Sequence, residues 1–315
     1  MTLPKVHLIE ADSNAVRDCP GTRNHICCGY KTIDLIEGCP LSCSYCILRG
    51  YLNNPGIRVR KETESILKEL DSAIDCEKDH TLRFGTGELS DSLALDRKLD
   101  LNRAIVRFFG EKKAAILELK SKFASIDHLR SCLNPYTVIS FSVAPPRSIM
   151  REEKRTSPLH KRLQTLKKAQ EWGCFVGLHF DPIIVYDGFE SDYVYLIDDI
   201  SRILDLRKVI WISMGLLRFP PPLMETFIRD RRQHLLSGEF IKGEDGKYRY
   251  LKEERIRIYK MFHDALHAKK EDLFIYLCME RPDVWQKALG VKMDNNEQLI
   301  NAFDRRIAQF YGGRV

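Results

Sequence analysis

Short apolar runs rich in β-forming residues recur along the chain, separated by stretches whose apolar positions repeat every three to four residues. The strand-like runs fall at 32–37, 81–84, 115–119, 137–142, 175–180 and 209–214, and the helical stretches include 63–74, 126–133, 159–172 and 193–204. Strands alternating with helices predict βαβ units and a parallel sheet. Right-handed crossovers then give either a barrel or an open doubly wound sheet. Six units are countable, and 315 residues also leave room for an eight-unit barrel, which needs about 250.

The character changes after the sixth run. Phe219-Pro220-Pro221-Pro222 stops any regular element. Residues 223–236 read as a helix, 239–250 as a hairpin turning at Asp245-Gly246, and 252–268 as a basic helix. A strand-like run at 274–278 and a short helix after Pro282 follow. The expected organisation is an N-terminal segment 1–30, an α/β unit 31–216, and a C-terminal α/β elaboration 217–315.

Composition removes several classes. With 44% hydrophobic and 30% charged residues the chain is an ordinary globular one, and it contains no apolar run of the ~18 residues a membrane span needs. The N-terminal stretch carries acids and no apolar signal core, so a cytoplasmic location is expected. Ten cysteines in a reducing compartment point to metal ligation or catalysis rather than disulfides. The net charge of +6 is unevenly placed. Residues 147–168 hold eight Lys/Arg against two Glu, and 218–270 hold thirteen against eight acids. Two basic segments on a mildly acidic body are expected to meet a polyanion, or else are solvated helix faces.

The sharpest chemical feature is Gly38-Cys39-Pro40-Leu41-Ser42-Cys43-Ser44-Tyr45-Cys46, directly after the first strand-like run. Thiolates bind soft metals, and this spacing lets one loop wrap a single centre. A [4Fe–4S] cluster normally takes four thiolates, so three would leave one iron open to a small molecule. Zinc would need a fourth ligand, for which Cys27, Cys28 and His25 are candidates, and zinc sites usually arrive as two spaced pairs.

The C-x3-C-x2-C run, with Tyr45 ahead of the third cysteine, resembles the radical SAM superfamily. The resemblance spans roughly 30–215. It implies a partial (βα)6 TIM-like barrel, with Cys39, Cys43 and Cys46 holding a [4Fe–4S] cluster and S-adenosylmethionine chelated at the open iron. It also implies an external one-electron donor such as flavodoxin or ferredoxin. Sites on such barrels gather at the strands' C-terminal ends, where four further groups fall in order. Gly85-Thr86-Gly87-Glu88 resembles the segment that holds the methionine amino group. Lys120 and Lys122 are candidates to pair with its carboxylate. Ser140 and Ser142 alternate to one face, where a hydroxyl would reach the ribose. His179 and Asp181 would position substrate or adenosine. Each group also has a plain structural reading as turn, solvated cation, strand serine or satisfied His–Asp pair. The same holds for Arg162, either a ligand partner or an exposed helix charge, and for Met214-Gly215, either an adenine contact or core.

Further features narrow the resemblance to spore photoproduct lyases. They are the Cys-Ser-Tyr-Cys run, Lys122-Phe123, Phe141-Ser142-Val143, Thr156-Ser157-Pro158-Leu159 with Lys161-Arg162-Leu163, Asp181-Pro182-Ile183-Ile184, Tyr186-Asp187-Gly188-Phe189 and Arg218-Phe219. The family repairs a methylene-bridged thymine dimer in DNA, and a cysteine returns a hydrogen atom through a nearby tyrosine. By match, Lys122 and Ser142 become the S-adenosylmethionine contacts. Two positions depart: Glu88 stands where the family's donor cysteine belongs, and Ile47 replaces the tyrosine after the third cluster cysteine, while Tyr45 is kept. Tyr45 and Glu88 are the candidate catalytic positions. Cys278 is a second candidate donor, whereas Cys132, Cys174 and the Cys27-Cys28 pair read as packing. For nucleic-acid contact the candidates are Arg218, Arg229, Arg231, Arg232, Arg255, Arg257 and Lys260 at phosphates. Tyr248 and Tyr250, interleaved with Lys247 and Arg249, are candidates to stack on bases. Three functions stand open: a lyase-like radical SAM enzyme on damaged or modified nucleic acid, a radical SAM enzyme on a peptide or small molecule, and a non-catalytic nucleic-acid-binding protein with zinc or a cluster.

Overall fold

A computed structural model describes residues 6–9, 14–52, 56–60 and 62–315. Its centre is an eight-stranded sheet that curls into a half-barrel. In spatial order the strands are Val16–Asp18, Lys31–Ile33, Leu82–Gly85, Ala115–Ser121, Thr137–Ser142, Val176–Ile183, Val209–Leu216 and Ile275–Leu277. Only the first pairs antiparallel with its neighbour. The other pairings are parallel, as the alternating pattern predicts. The five strands from Leu82–Gly85 to Val209–Leu216 are buried along nearly their whole length, which is why they read as apolar runs rather than as polar/apolar alternation.

The helices cover the sheet with apolar stripes at helical spacing. In Leu159–Glu171 the buried side chains include Leu159, Leu163, Leu166 and Ala169, and the helix stops before Gly173, whose φ of +90° suits glycine. Phe189–Ile203 buries Phe189, Tyr193, Leu196, Ile197 and Ile200. The helix Asn296–Tyr311 was not foreseen from the sequence. Asn295 caps it by accepting from Gln298 N at 3.0 Å, and Leu299, Phe303 and Ile307 form its buried stripe. Arg306 donates to the carbonyls of Ile210 (2.8 Å) and Val209 (3.0 Å), fastening this helix to the sheet. Asn102–Lys112 is a second helix the sequence reading passed over.

Three expected elements differ. The 32–37 run is two strands: Lys31–Ile33 stays in the main sheet, while Ile36–Glu37 leaves it to pair with Ile57–Arg60. Asp34, bound by Arg17, sits at the break. The 126–133 stretch forms only a 3-10 turn at Asp127–Leu129, and beyond it Asn134 donates its amide to the Cys132 carbonyl at 3.2 Å, ahead of Pro135. The 223–236 stretch is the helix Pro221–Arg229 followed by a 3-10 turn at Gln233–Leu236, split at Arg231 with φ +54°. The hairpin forms as expected from Phe240–Lys242 and Tyr248–Tyr250, and Arg218–Phe219 joins it as a third strand. Among the described residues no helix is long and apolar enough to cross a membrane.

Candidate active site

The C-terminal ends of the parallel strands and the loop after Ile36–Glu37 enclose a cavity of about 220 Å³. Cys39, Cys43 and Cys46 form one wall. Gly87, Glu88, Lys120, Lys122, Ser142, His179 and Asp181 line the rest, joined by Ile47, Tyr45, Asp91 and Arg218. Residues from six separate stretches of sequence thus meet in one space.

The loop is held from both sides. Ser90 donates its hydroxyl to the Gly38 carbonyl at 2.8 Å, and Ser44 hydrogen-bonds the buried Glu152 through its hydroxyl. Gly38 has φ +90°, and a side chain there would run into the Gly56 carbonyl at 2.7 Å. All ten cysteines are free. Burial pushes the Cys39 thiol up to about 12 and raises Cys43 and Cys46 as well, with Lys122 pulling the other way on each. A metal bound here would take the place of these protons, since thiolates and not thiols are the ligands. Among the described residues no three His, Cys, Asp or Glu side chains are gathered at single-ion distances. A cubane takes its thiolates at separate corners, so three cysteines facing one cavity fit that wider ligand set. Cys27, Cys28 and His25, the candidates for a fourth zinc ligand, do not line this cavity.

Asp91 organises the cation side, a role the sequence reading missed. Its carboxylate accepts from Leu93 N (3.0 Å), Ala94 N (2.9 Å), Ser121 Oγ (2.7 Å) and Lys122 N (2.7 Å). The first two bonds are an Asx turn, whose signature, Ser90-Asp91-Ser92 before an apolar run, was present to be read. This bond fixes the Lys122 backbone, and the ammonium lies 5.8 Å from the centre of the Tyr45 ring. Burial lowers Lys120, but Glu88, Asp181 and Glu118 outweigh it and hold this ammonium above its ordinary value.

The glycine segment divides. Gly87 lines the cavity, and a Cβ there would meet the Lys120 carbonyl and Ser92 Oγ, both at 3.0 Å. Gly85 lies deeper, where a Cβ would overlap the Tyr30 hydroxyl at 1.5 Å. Thr86 is buried and its hydroxyl has no partner among the described residues.

Several expected residues serve elsewhere. Ser140 is outside the cavity, its hydroxyl committed to Glu118 Oε1 at 2.5 Å. His179 Nε2 bonds that same oxygen at 2.9 Å, and Trp211 Nε1 bonds it at 2.7 Å. Burial would raise Glu118, yet His179, Ser140 and Trp211 together hold it at about 2. Arg162 is neither a cavity residue nor an exposed helix charge. It is fully buried, donating to the carbonyls of Ser142 and Ser157 (each 2.8 Å) and pairing with Glu153. Tyr45 donates its hydroxyl to Glu153, so that hydroxyl belongs to the buried Glu153–Arg162 network. Gly215 admits the side chains of Arg218 and Asp181, each within 3 Å of a would-be Cβ, and Arg218 pairs with Asp181 at 3.4 Å. Cys278 sits behind this pair, its Sγ accepting from Arg218 Nη2 at 3.5 Å, and burial pushes its thiol up to about 12.

The proposed nucleic-acid contacts thin out in the same way. Arg255 is buried, bonded to Glu280 at 3.0 Å and to the Tyr250 carbonyl at 2.6 Å. Tyr250 is buried with its hydroxyl accepting from Val185 N, and Tyr248 stacks on Phe219 at 5.7 Å. Arg249 is buried against Asp245. The hairpin turns its aromatic rings inward to make its own small core. Cys132 and Cys174 are buried, as expected of packing residues.

This fold and cavity define an enzyme class: a curled parallel half-barrel whose site lies at the strands' C-terminal rim beside a three-cysteine loop, the arrangement of radical SAM enzymes. A family model for spore photoproduct lyase matches residues 27–222, and the chain belongs to that family. Spore photoproduct lyase of Bacillus subtilis (strain 168) is 27% identical over 256 residues, covering 78% of this chain and 72% of that protein. A solved structure of a doubly substituted spore photoproduct lyase with bound AdoMet and dinucleoside spore photoproduct superposes with a TM-score of 0.77 at 22% identity, over 86% of this chain and 82% of that one. Streptococcus suis SuiB bound to S-adenosylmethionine shares the fold more distantly, with a TM-score of 0.53 at 14% identity, over 90% of this chain and 55% of that one.

Proposed function

We propose that the chain is a radical SAM enzyme of the spore photoproduct lyase type that acts on a modified nucleic acid other than the spore photoproduct. The observation that carries this reading is the shared cavity: three cysteines on one wall, with Gly87, Lys122 and Ser142 facing them. Cys39, Cys43 and Cys46 would hold a [4Fe–4S] cluster. When bound, that cluster with S-adenosylmethionine supplies a one-electron cleavage to methionine and a 5′-deoxyadenosyl radical that abstracts hydrogen from substrate.

The protein's own residues bind and orient. Lys122, fixed through its backbone by Asp91, is placed to pair with the carboxylate of the cosubstrate. The Gly87 backbone leaves room for the methionine amino group, with Glu88 as its acceptor. Ser142, whose carbonyl is gripped by Arg162, offers its hydroxyl to the ribose. His179 and Asp181 border the adenosine and substrate side. Glu88 and Ile47 carry no thiol and no hydroxyl, which separates this chain from a thymine-dimer repair route that returns hydrogen through cysteine and tyrosine. We assign the catalysis to 31–216 and a nucleic-acid contact, DNA in the first instance, to 217–315, where Lys242 and Lys260 are exposed.

The test is anaerobic reconstitution followed by iron, sulfide and zinc analysis and a dithionite-driven assay for 5′-deoxyadenosine. Iron with sulfide and product formation abolished in Cys43→Ala is expected. Zinc without sulfide would overturn the reading. Deuterium transfer from defined DNA lesions into 5′-deoxyadenosine then identifies the substrate.

A further inference from the structure

The cysteine loop has a second face. Cys39, Cys43 and Cys46 line the cavity described above, and they also line a second, outer groove of about 580 Å³ that includes none of the strand-end residues. The loop thus borders two spaces, one lined by the strand ends and one that none of the strand-end residues reaches. The outer groove is rimmed by cations. Arg49, Lys154 and Arg232 line it, and Arg151, Arg155, Arg229 and Arg231 adjoin them in sequence, seven cations against the carboxylates of Glu152, Glu153 and Asp230. Glu152 lines the groove and pairs with Arg232 at 3.6 Å, with Ser44 and His234 also bonded to it, whereas Glu153 is buried under Tyr45 and Arg162. Asp230 is shared by Arg49 at 2.5 Å and Arg229 at 3.2 Å.

The cations grip the loop itself. Arg49 donates to the Ser44 carbonyl at 2.9 Å and Arg155 to the Pro40 carbonyl at 3.4 Å. Lys154 and Arg231 are exposed and have no ion-pair partner among the described residues. Exposed Tyr51, Met150 and Ile228 sit on the three helices around the groove. None of these three lines the groove itself, but arginine, tyrosine and methionine are the residue types enriched in protein interfaces.

We propose that this groove is the docking surface for an acidic, one-electron carrier protein of the flavin or iron–sulfur kind, and that Lys154 and Arg231 steer it there. The inference rests on the radical SAM reading. In the step it serves, the carrier is oxidised by one electron, which enters the three-thiolate centre through the outer face of the loop; no bond forms or breaks. The cosubstrate side, with Gly87, Lys122 and Ser142, is left free. Electron-transfer contacts are small, so a ring of rim charges acts chiefly on association rate and its salt dependence.

The experiment uses purified flavodoxin as the acidic carrier and the double variant Lys154→Glu/Arg231→Glu, both positions being exposed and outside the inner cavity. One arm measures flavodoxin binding by fluorescence anisotropy across a salt series, which needs no turnover. The other compares 5′-deoxyadenosine formation driven by reduced flavodoxin with that driven by dithionite. Binding that weakens with salt, a loss of about tenfold in both binding and flavodoxin-driven rate in the variant, and an unchanged dithionite rate are expected. Equal losses with both reductants, no loss with either, or a variant that loses DNA affinity while keeping flavodoxin binding overturns the proposal. If the unmodified protein forms no product with dithionite, it is the enzymatic reading that fails, and the binding arm still decides the surface.

Discussion

Ser140 and Ser142 stand on the same face of one strand, two residues apart, and meet opposite surroundings. Ser140 belongs to a lower tier with Glu118, Trp211 and the inner nitrogen of His179, where one carboxylate oxygen collects three donors. Ser142 belongs to an upper tier with Gly87, Lys122 and Asp181, which opens into the cavity. Gly177 marks the lower tier's packing, since a Cβ there would lie 2.3 Å from Ser140 Oγ and 2.7 Å from Trp211 Nε1. The difference teaches how such a half-barrel divides labour. A buried charge is tolerable only when its partners are complete, so the lower tier is a finished floor. The upper tier keeps polar groups whose partners come from a ligand.

The largest effect that can break this division is at Glu118. Its replacement by alanine orphans three buried donors and is expected to cost about 3–5 kcal/mol in urea unfolding. Glu118→Gln keeps an acceptor and should cost less. The pH dependence follows from the depressed carboxylate. Glu118 is held at about 2, below the roughly 4.3 of an unfolded glutamate. Its contribution is therefore complete above the unfolded value and is lost as pH falls through the folded one. Unfolding midpoints between pH 6 and 2 should drop more steeply in the unmodified protein than in Glu118→Gln. A Glu118→Ala protein as stable as the parent would show that the floor is not a unit.

The upper tier should answer with the reverse signature. Lys122→Ala is expected to weaken S-adenosylmethionine binding to the reconstituted protein by about tenfold or more, the worth of one charge-assisted hydrogen bond. Its unfolding free energy should stay within about 0.5 kcal/mol of the parent, since the fixed part of Lys122 is its backbone N–H. Calorimetric titration and urea unfolding on the same preparation separate the two effects. Unaltered affinity would remove Lys122 from the site.

What could be read from the sequence follows the same line. The cysteine wall was legible because its three ligands lie within eight consecutive residues, and the strands were legible because burial on both faces makes them continuous apolar runs. The order of polar residues at strand ends placed Gly87, Lys122, Ser142, His179 and Asp181 around one space. It did not separate Ser140 from Ser142, because alternation gives a face and not a depth. The fate of Arg162 and Arg255 was hidden for a related reason. Their partners Glu153 and Glu280 are set by packing, so an interior guanidinium reads the same as a surface one. In the hairpin, interleaved Tyr and Arg gave the pattern of a base-stacking strand. The rings instead pack on Phe219 and Phe240, with Tyr250 lying 4.4 Å from Phe240, because the added strand Arg218–Phe219 supplies them with a core.

The smallest expected effect is also the cleanest separation of the two tiers, because it compares the same substitution two residues apart. Ser140→Ala removes one of three donors to Glu118 and should cost about 1 kcal/mol of stability. Cosubstrate affinity should be unchanged, because Ser140 does not reach the cavity. Ser142→Ala should leave stability within about 0.5 kcal/mol, because Arg162 holds its carbonyl rather than its hydroxyl. Its S-adenosylmethionine affinity should fall by roughly fivefold, the loss of one neutral hydrogen bond. If both variants lose stability and neither loses affinity, Ser142 is part of the floor and the ribose contact belongs to another residue.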